Sequence, residues 1–310
     1  MKNIARRHHV VPQGYLAGFT DDGTPAGVLT VFDRVSESVF PAKPRNVATK
    51  RDFNRVDLDG LPPDAVEQAL GELEGKAIRA IRRLQERGGC LTDEELSDIV
   101  NLMALLVARN PQSRRAMNAA REQTGRISLG MLASDRGMYE HHVAKAKSEG
   151  FIPGDDAVPF EQAAAFIESD QYRIDVSTTE SILGELRVFE SVFETLASRW
   201  WSLVIADPDA PDLVTCDHPV TVVSKDQSRR GPIGYGLPGT EVSFPLGPRH
   251  ALVGVLENPL RPQFTARPTE VAALNSRTVH HADRQVYARS PHAVILQRGG
   301  MADFNVCAEP

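Results

Sequence analysis

Thr92-Asp-Glu-Glu-Leu-Ser-Asp-Ile-Val-Asn-Leu-Met-Ala-Leu-Leu-Val-Ala-Arg-Asn-Pro111 is the stretch on which the fold turns. Thr92 with Glu95 three residues on is a capping box, in which a hydroxyl and a carboxylate each satisfy a backbone N–H of the opening turn. Leu96, Ile99, Val100, Met103, Leu106 and Val107 follow at steps of one and three, and the second half of the segment is apolar nearly all round. A helix with no polar face has to be surrounded by other elements, so this one is expected at the centre. It ends at Asn110, because the residue before a proline avoids helical geometry.

Working upstream, Val66, Leu70, Leu73, Ala77, Ile81 and Leu84 mark an amphipathic helix that starts near Asp64 and stops at Gly88-Gly89. Downstream, residues 112–149 are polar and helical in pattern, weakened by Gly125, Gly130 and Gly137, and a loop with Pro153 and Pro159 follows. A last long helix begins near Ser177-Thr178 and carries Ile182, Leu186, Phe189, Phe193, Leu196 and Trp200. Both ends of the chain read as strands and turns. Val28-Leu-Thr-Val-Phe32 follows a Gly/Asp/Pro-rich turn, and Trp201–Ile205, Leu213–Cys216, Val220–Val223, Val242–Phe244, Ala251–Val255, Val286–Ala288 and Ala293–Leu296 succeed one another, interrupted by a helix from Thr269 to about Ala282. Strands, then helices, then strands give an α+β fold: a central helical bundle packed on a mixed or antiparallel sheet formed by N- and C-terminal strands. The expected organisation is one composite domain over 1–310, with N-terminal strands and a basic segment (1–60), a helical region (61–200) and a β-rich region (201–310).

The 310 residues carry a net charge of −6, which excludes a surface coated for nonspecific nucleic-acid binding. The first 55 residues run against this, with nine Lys/Arg against five acids. Such a segment either focuses an anionic ligand or is simply a solvated surface. No apolar run approaches the ~20 residues that span a bilayer, and no apolar stretch follows the basic N-terminus. Cys90, Cys216 and Cys307 cannot all pair and fit no zinc knuckle. A reducing cytoplasm is the expected setting. No phosphate loop, zinc-protease or nucleophile-elbow string is present.

Two constellations carry candidate chemistry. His8-His9 opens the basic segment, and neighbours in an extended chain face opposite ways, so one imidazole enters a site while the other packs behind it. His8-His9-Val10-Val11-Pro12 has a short likeness to the start of the HNH nuclease motif, but no suitably spaced histidine follows Asn46. Thr215-Cys216-Asp217-His218-Pro219 delivers an acid and an imidazole at a strand end, as a site or as a turn in which Asp217 caps backbone N–H groups. Arg109 closes the most apolar helix, and Glu74 edges its neighbour's apolar face. They form either a structural ion pair or an anion clamp beside an acid.

Assembled, these residues resemble the family known as domain of unknown function 4238. Its opening is similar to His8-His9-Val10-Val11-Pro12-Gln13-Gly14-Tyr15-Leu16-Ala17-Gly18-Phe19, followed by matches at Phe32-Asp33-Arg34, Asn46-Val47-Ala48 and Asp52-Phe53. An acid in the first long helix and an Arg-x-Pro-x-x-Arg string correspond to Glu74 and to Arg109 through Arg114. Trp201, the Thr215–Pro219 string, Pro245-Leu246 and Asn275 complete the likeness. Cys216 stands where the family has serine and His218 where it has asparagine. The label supplies no reaction.

The resulting expectation is one cleft shared by both ends of the chain. His9, Asp217 and Glu74 are the catalytic candidates. Arg109, Asn275, Asp52 and Arg114 would bind substrate, and His8, His9, Asp217 and His218 would hold one divalent metal ion. The expected activity is metal-dependent hydrolysis of an anionic substrate, a nucleic-acid or nucleotide phosphodiester. The alternative is a non-catalytic module that senses an anion or a partner.

Overall fold

The computed structural model describes residues 6–153, 156–226 and 228–305; Lys2 and Cys307 lie outside them. The chain forms two compact units, Met1–Ser113 with Ile182–Pro310, and Arg114–Ser181. In chain order the elements are β1 (Arg7–His9), α1 (Gln13–Ala17), β2 (Leu29–Asp33), β3 (Ser38–Ala42), β4 (Thr49–Arg51), α2 (Ala65–Arg87), α3 (Asp93–Ala108), α4 (Pro111–Ser134), α5 (Arg136–Ser148), α6 (Phe160–Glu168) and α7 (Thr178–Ala197). Then follow β5 (Trp200–Ala206), β6 (Thr215–Cys216), β7 (Thr221–Ser224), β8 (Thr240–Gly247), β9 (His250–Val255), β10 (Gln263–Ala266), α8 (Pro268–His281), β11 (Gln285–Ala288), β12 (Val294–Gln297) and β13 (Gly300–Asp303). The fold is α+β.

In the first unit, α3 is the buried helix its sequence demands. Every residue from Leu102 to Ala108 is buried, and the Thr92–Glu95 capping box forms in both directions. Each fully buried Leu, Ile or Met side chain here contributes about 1.5–3 kcal/mol. Its apolar surroundings come from α2 (Ala77, Ala80, Ile81, Leu84), from the opening segment (Val11, Tyr15, Leu16, Phe19) and from β8 (Val242, Phe244, Leu246). Gly14 sits where a Cβ would come within 2.6 Å of the Ile78 Cδ1 atom, so α1 packs closely on the Ile78 side chain of α2, and a larger residue there would require that side chain to move.

The strands of the two chain ends do meet, in an antiparallel sheet of order β3-β2-β11-β6. Pro41 lies in edge strand β3, where a missing N–H does no harm. A second, mixed sheet, β10-β5-β9-β8-β7, is wholly C-terminal, with β10 parallel to β5 and a register shift between Pro245 and Gly247. Two further two-stranded ribbons, β1-β4 and β12-β13, stand apart, so the strands form four sheets among the described residues.

The second unit holds α5, α6 and most of α4. Neither α5 nor α6 has a buried residue; ring contacts (Tyr139 on Phe160, Phe166 on Tyr172) and ion pairs (Arg126–Asp170, Arg136–Glu161) join its segments. Residues 112–149 are two helices, parted where Asp135 caps the Met138 N–H, and the expected loop after Pro159 contains α6. No helix among the described residues is long and apolar enough to cross a membrane.

Candidate functional site

The β1-β4 ribbon pairs Arg7 with Arg51, His8 with Lys50 and His9 with Thr49. Alternation along β1 buries His8 and leaves His9 half-buried, one imidazole behind the other as the extended pair requires. The His8 Nδ1 atom accepts the Asn54 backbone N–H at 2.7 Å. Asn54 is the hinge of a polar cluster. Its side-chain carbonyl accepts from the Arg109 guanidinium, and its side-chain NH2 donates to the Glu67 carboxylate. Arg109 is held at the C-terminus of α3, with its own N–H bonded to the Leu105 carbonyl at 2.9 Å. Glu67 and Glu74 are seven residues apart on α2, two turns along one face.

Burial, then neighbouring charges, sets the ionisation of this cluster. Burial pushes the Glu74 carboxyl up to about 7; the Arg109 charge works against that shift and Glu67 adds to it. Burial lowers the affinity of His9 for a proton. A hydrogen bond to the Pro44 carbonyl and the Glu67 charge oppose this, and Arg7 supports it. The Nε2 atom of His9 is buried with no hydrogen-bond partner among the described residues, so the bond to Pro44 falls to Nδ1. A carbonyl on one ring nitrogen fixes the tautomer and leaves a lone pair on the other. His9 therefore presents a base and Glu74 an acid, with Arg109 and Glu67 beside them.

Two contacts tie the segments flanking the two constellations together. The Tyr15 hydroxyl donates to the Pro245 carbonyl at 2.7 Å and lies 2.8 Å from Thr215 Oγ1, tying α1 to β6. Asn110, next to Arg109, reaches the Asp217 carbonyl at 3.5 Å.

Asp217 itself is not open to a substrate. Its Oδ1 accepts from the Asp283 N–H at 2.9 Å, and its Oδ2 from the Arg284 and Gln285 N–H groups at 2.8 and 2.9 Å. Burial raises its pKa and those three bonds pull it back. The carboxylate closes the turn from α8 into β11, which is the capping alternative for this string. His218, only 7% exposed, packs its ring 4.2 Å from that of His281.

The other candidates scatter. Asn275, 0% exposed, uses its whole amide in the fold: it accepts from the Val214 N–H at 3.0 Å and donates to the Asp212 and Val294 carbonyls at 2.9 Å each. Asp52 pairs with Arg6 at 2.8 Å just past the end of the ribbon, which keeps its pKa low. Arg114 opens the other compact unit. Among the described residues no three His, Cys, Asp or Glu side chains converge as a metal-holding group, so His8, His9, Asp217 and His218 do not form one set. Asn54, Glu67, Asn110 and His281 are absent from the sequence-derived site. Glu67 carried a signal there in its seven-residue offset from Glu74, and His281 in the pair His280-His281, which by sequence reads as closing a helix rather than entering a site.

The family model described as "Protein of unknown function (DUF4238)" matches residues 7–292, nearly the whole chain. The chain belongs to the DUF4238 family. Searches of curated proteins and of solved structures found no match. In this DUF4238 chain the matched span contains both histidine constellations and the helices between them.

Proposed function

We propose that this DUF4238 protein is a hydrolase of an anionic substrate, of the phosphodiester class, working through His9 and Glu74. The observation that carries the reading is the Glu74 carboxyl near 7, beside Arg109 in the cluster that His9 enters. A general acid is most effective when its pKa lies near the working pH. His9 Nε2 takes a proton from water as the oxygen attacks phosphorus. The protonated Glu74 carboxyl gives its proton to the departing oxygen, and the Arg109 charge offsets the negative charge that builds between them. The substrate class rests on the ribbon, where Arg7 faces Arg51 and His8 faces Lys50 beside the site.

The test is turnover of bis(p-nitrophenyl) phosphate and of single- and double-stranded oligonucleotides, with and without Mg2+. Divalent ions are commonly held by one or two carboxylates together with substrate phosphate. His9→Ala and Glu74→Gln should each lower kcat by about a hundredfold or more while remaining folded. Full activity in both variants, or no turnover of any substrate by the wild type, overturns the reading. Stoichiometric oligonucleotide binding without turnover would instead assign the anion-sensing role.

A further inference from the structure

His218 and His281 come from different parts of the C-terminal half, the loop after β6 and the last residue of α8. Their ring centres lie 4.2 Å apart with the planes tilted by 35°. Neither ring nitrogen of His218 has a hydrogen-bond partner among the described residues, and neither does Nε2 of His281. Three imidazole nitrogens are thus buried together and unsatisfied, where buried polar atoms are almost always paired. His281 bonds the Val220 carbonyl through its remaining nitrogen. That is the arrangement that orients metal-ligating histidines, leaving the Nε2 lone pair directed elsewhere.

We propose that His218 and His281 are the two protein ligands of a borderline divalent cation, of the Zn2+ or Ni2+ type, at a site separate from the His9–Glu74 cluster. Imidazole nitrogens about 2.0–2.1 Å from one ion place two neighbouring ring centres roughly 4.5–5 Å apart, which a small rotation from the observed 4.2 Å supplies. Both rings favour the neutral, ligating form: burial lowers both, and takes His218 to about 3. The Asp283 charge lies close enough to act on His218 and provides negative compensation. No third His, Cys, Asp or Glu joins the pair among the described residues, so water or an incoming ligand completes the shell. A cleft of about 280 Å3, lined by His281, His280, Arg277 and Thr221, lies on the His281 side of the pair.

Calorimetric titration of the full-length chain with Zn2+ tests the assignment. One equivalent should bind to the wild type and to His9→Ala, whereas His218→Asn and His281→Gln should each weaken binding by about a hundredfold. His218→Asn is the safer variant, since it places at this position the residue that the family resemblance gives, and its melting temperature monitors folding. Absence of binding to the wild type overturns the proposal, as does unchanged binding in folded His218→Asn. Loss of binding in His9→Ala with retention in His218→Asn also overturns it. None of these readouts depends on hydrolysis.

Discussion

Burial holds the Glu74 carboxyl above the ordinary carboxylate range, which makes stability depend on pH. Its folded pKa is about 7 against 4.5 for the free group. Its contribution to stability is fully present below pH 4.5 and is lost as pH rises through 7. Glu74→Gln should therefore gain on the wild type between pH 5 and pH 8, by roughly 1–3 kcal/mol after allowing for partial solvent exposure, measured by urea unfolding at the two pH values. Asp217 should behave otherwise. Asp217→Ala strips three backbone N–H groups of their acceptor, so it should cost about 3–5 kcal/mol and lower the melting temperature by about 10 °C. A variant that melts like the wild type would show that those bonds carry no weight. Sequence named Asp217 and His9 with equal claim because both sit in short polar strings next to a histidine. What separates them is three N–H donors some 66–68 residues away, which local pattern does not contain.

Among elements, α3 was the most legible. Its capping box and the apolar run from Leu102 to Ala108 are local features, and they decide both its start and its burial. Glu95 does more than cap: it also accepts from Arg83 and Arg87 across the α2–α3 turn. The Arg87 hydrogen bonds, above all, hold its carboxyl down at about 2. That stabilisation is present above pH 4.5 and disappears as pH falls through 2. Glu95→Gln should cost about 1–2 kcal/mol at neutral pH, and the difference should vanish in acid, as chemical denaturation at pH 7 and pH 2 would reveal. The elements that escaped the sequence are short or polar. β1, β4 and β10 are three or four residues long, and α6 follows Pro159, a breaker by pattern that here sits at the helix N-cap. Such elements are set by their neighbours rather than by their own period.

Across the whole molecule, the expectation that both chain ends share a sheet holds in β2–β11, yet the second sheet is built from the C-terminal region alone. Hydrophobic pattern tells a strand from a helix; it does not say which strands pair. The same limit applies to the site. His9, Arg109 and Glu74 were readable as polar residues in awkward places, but their meeting through Asn54 and Glu67 follows from the packing of α2 on α3 and of the β1-β4 ribbon beside them. The proposed acid–base chemistry stands on that meeting. Its most direct test is a carboxyl 13C NMR titration of the folded protein, with the Glu74 resonance assigned by its loss in Glu74→Gln. A midpoint near pH 7 is the predicted result. A midpoint near 4.5 would mean that Glu74 is an ordinary solvated carboxylate and would contradict the acid–base site.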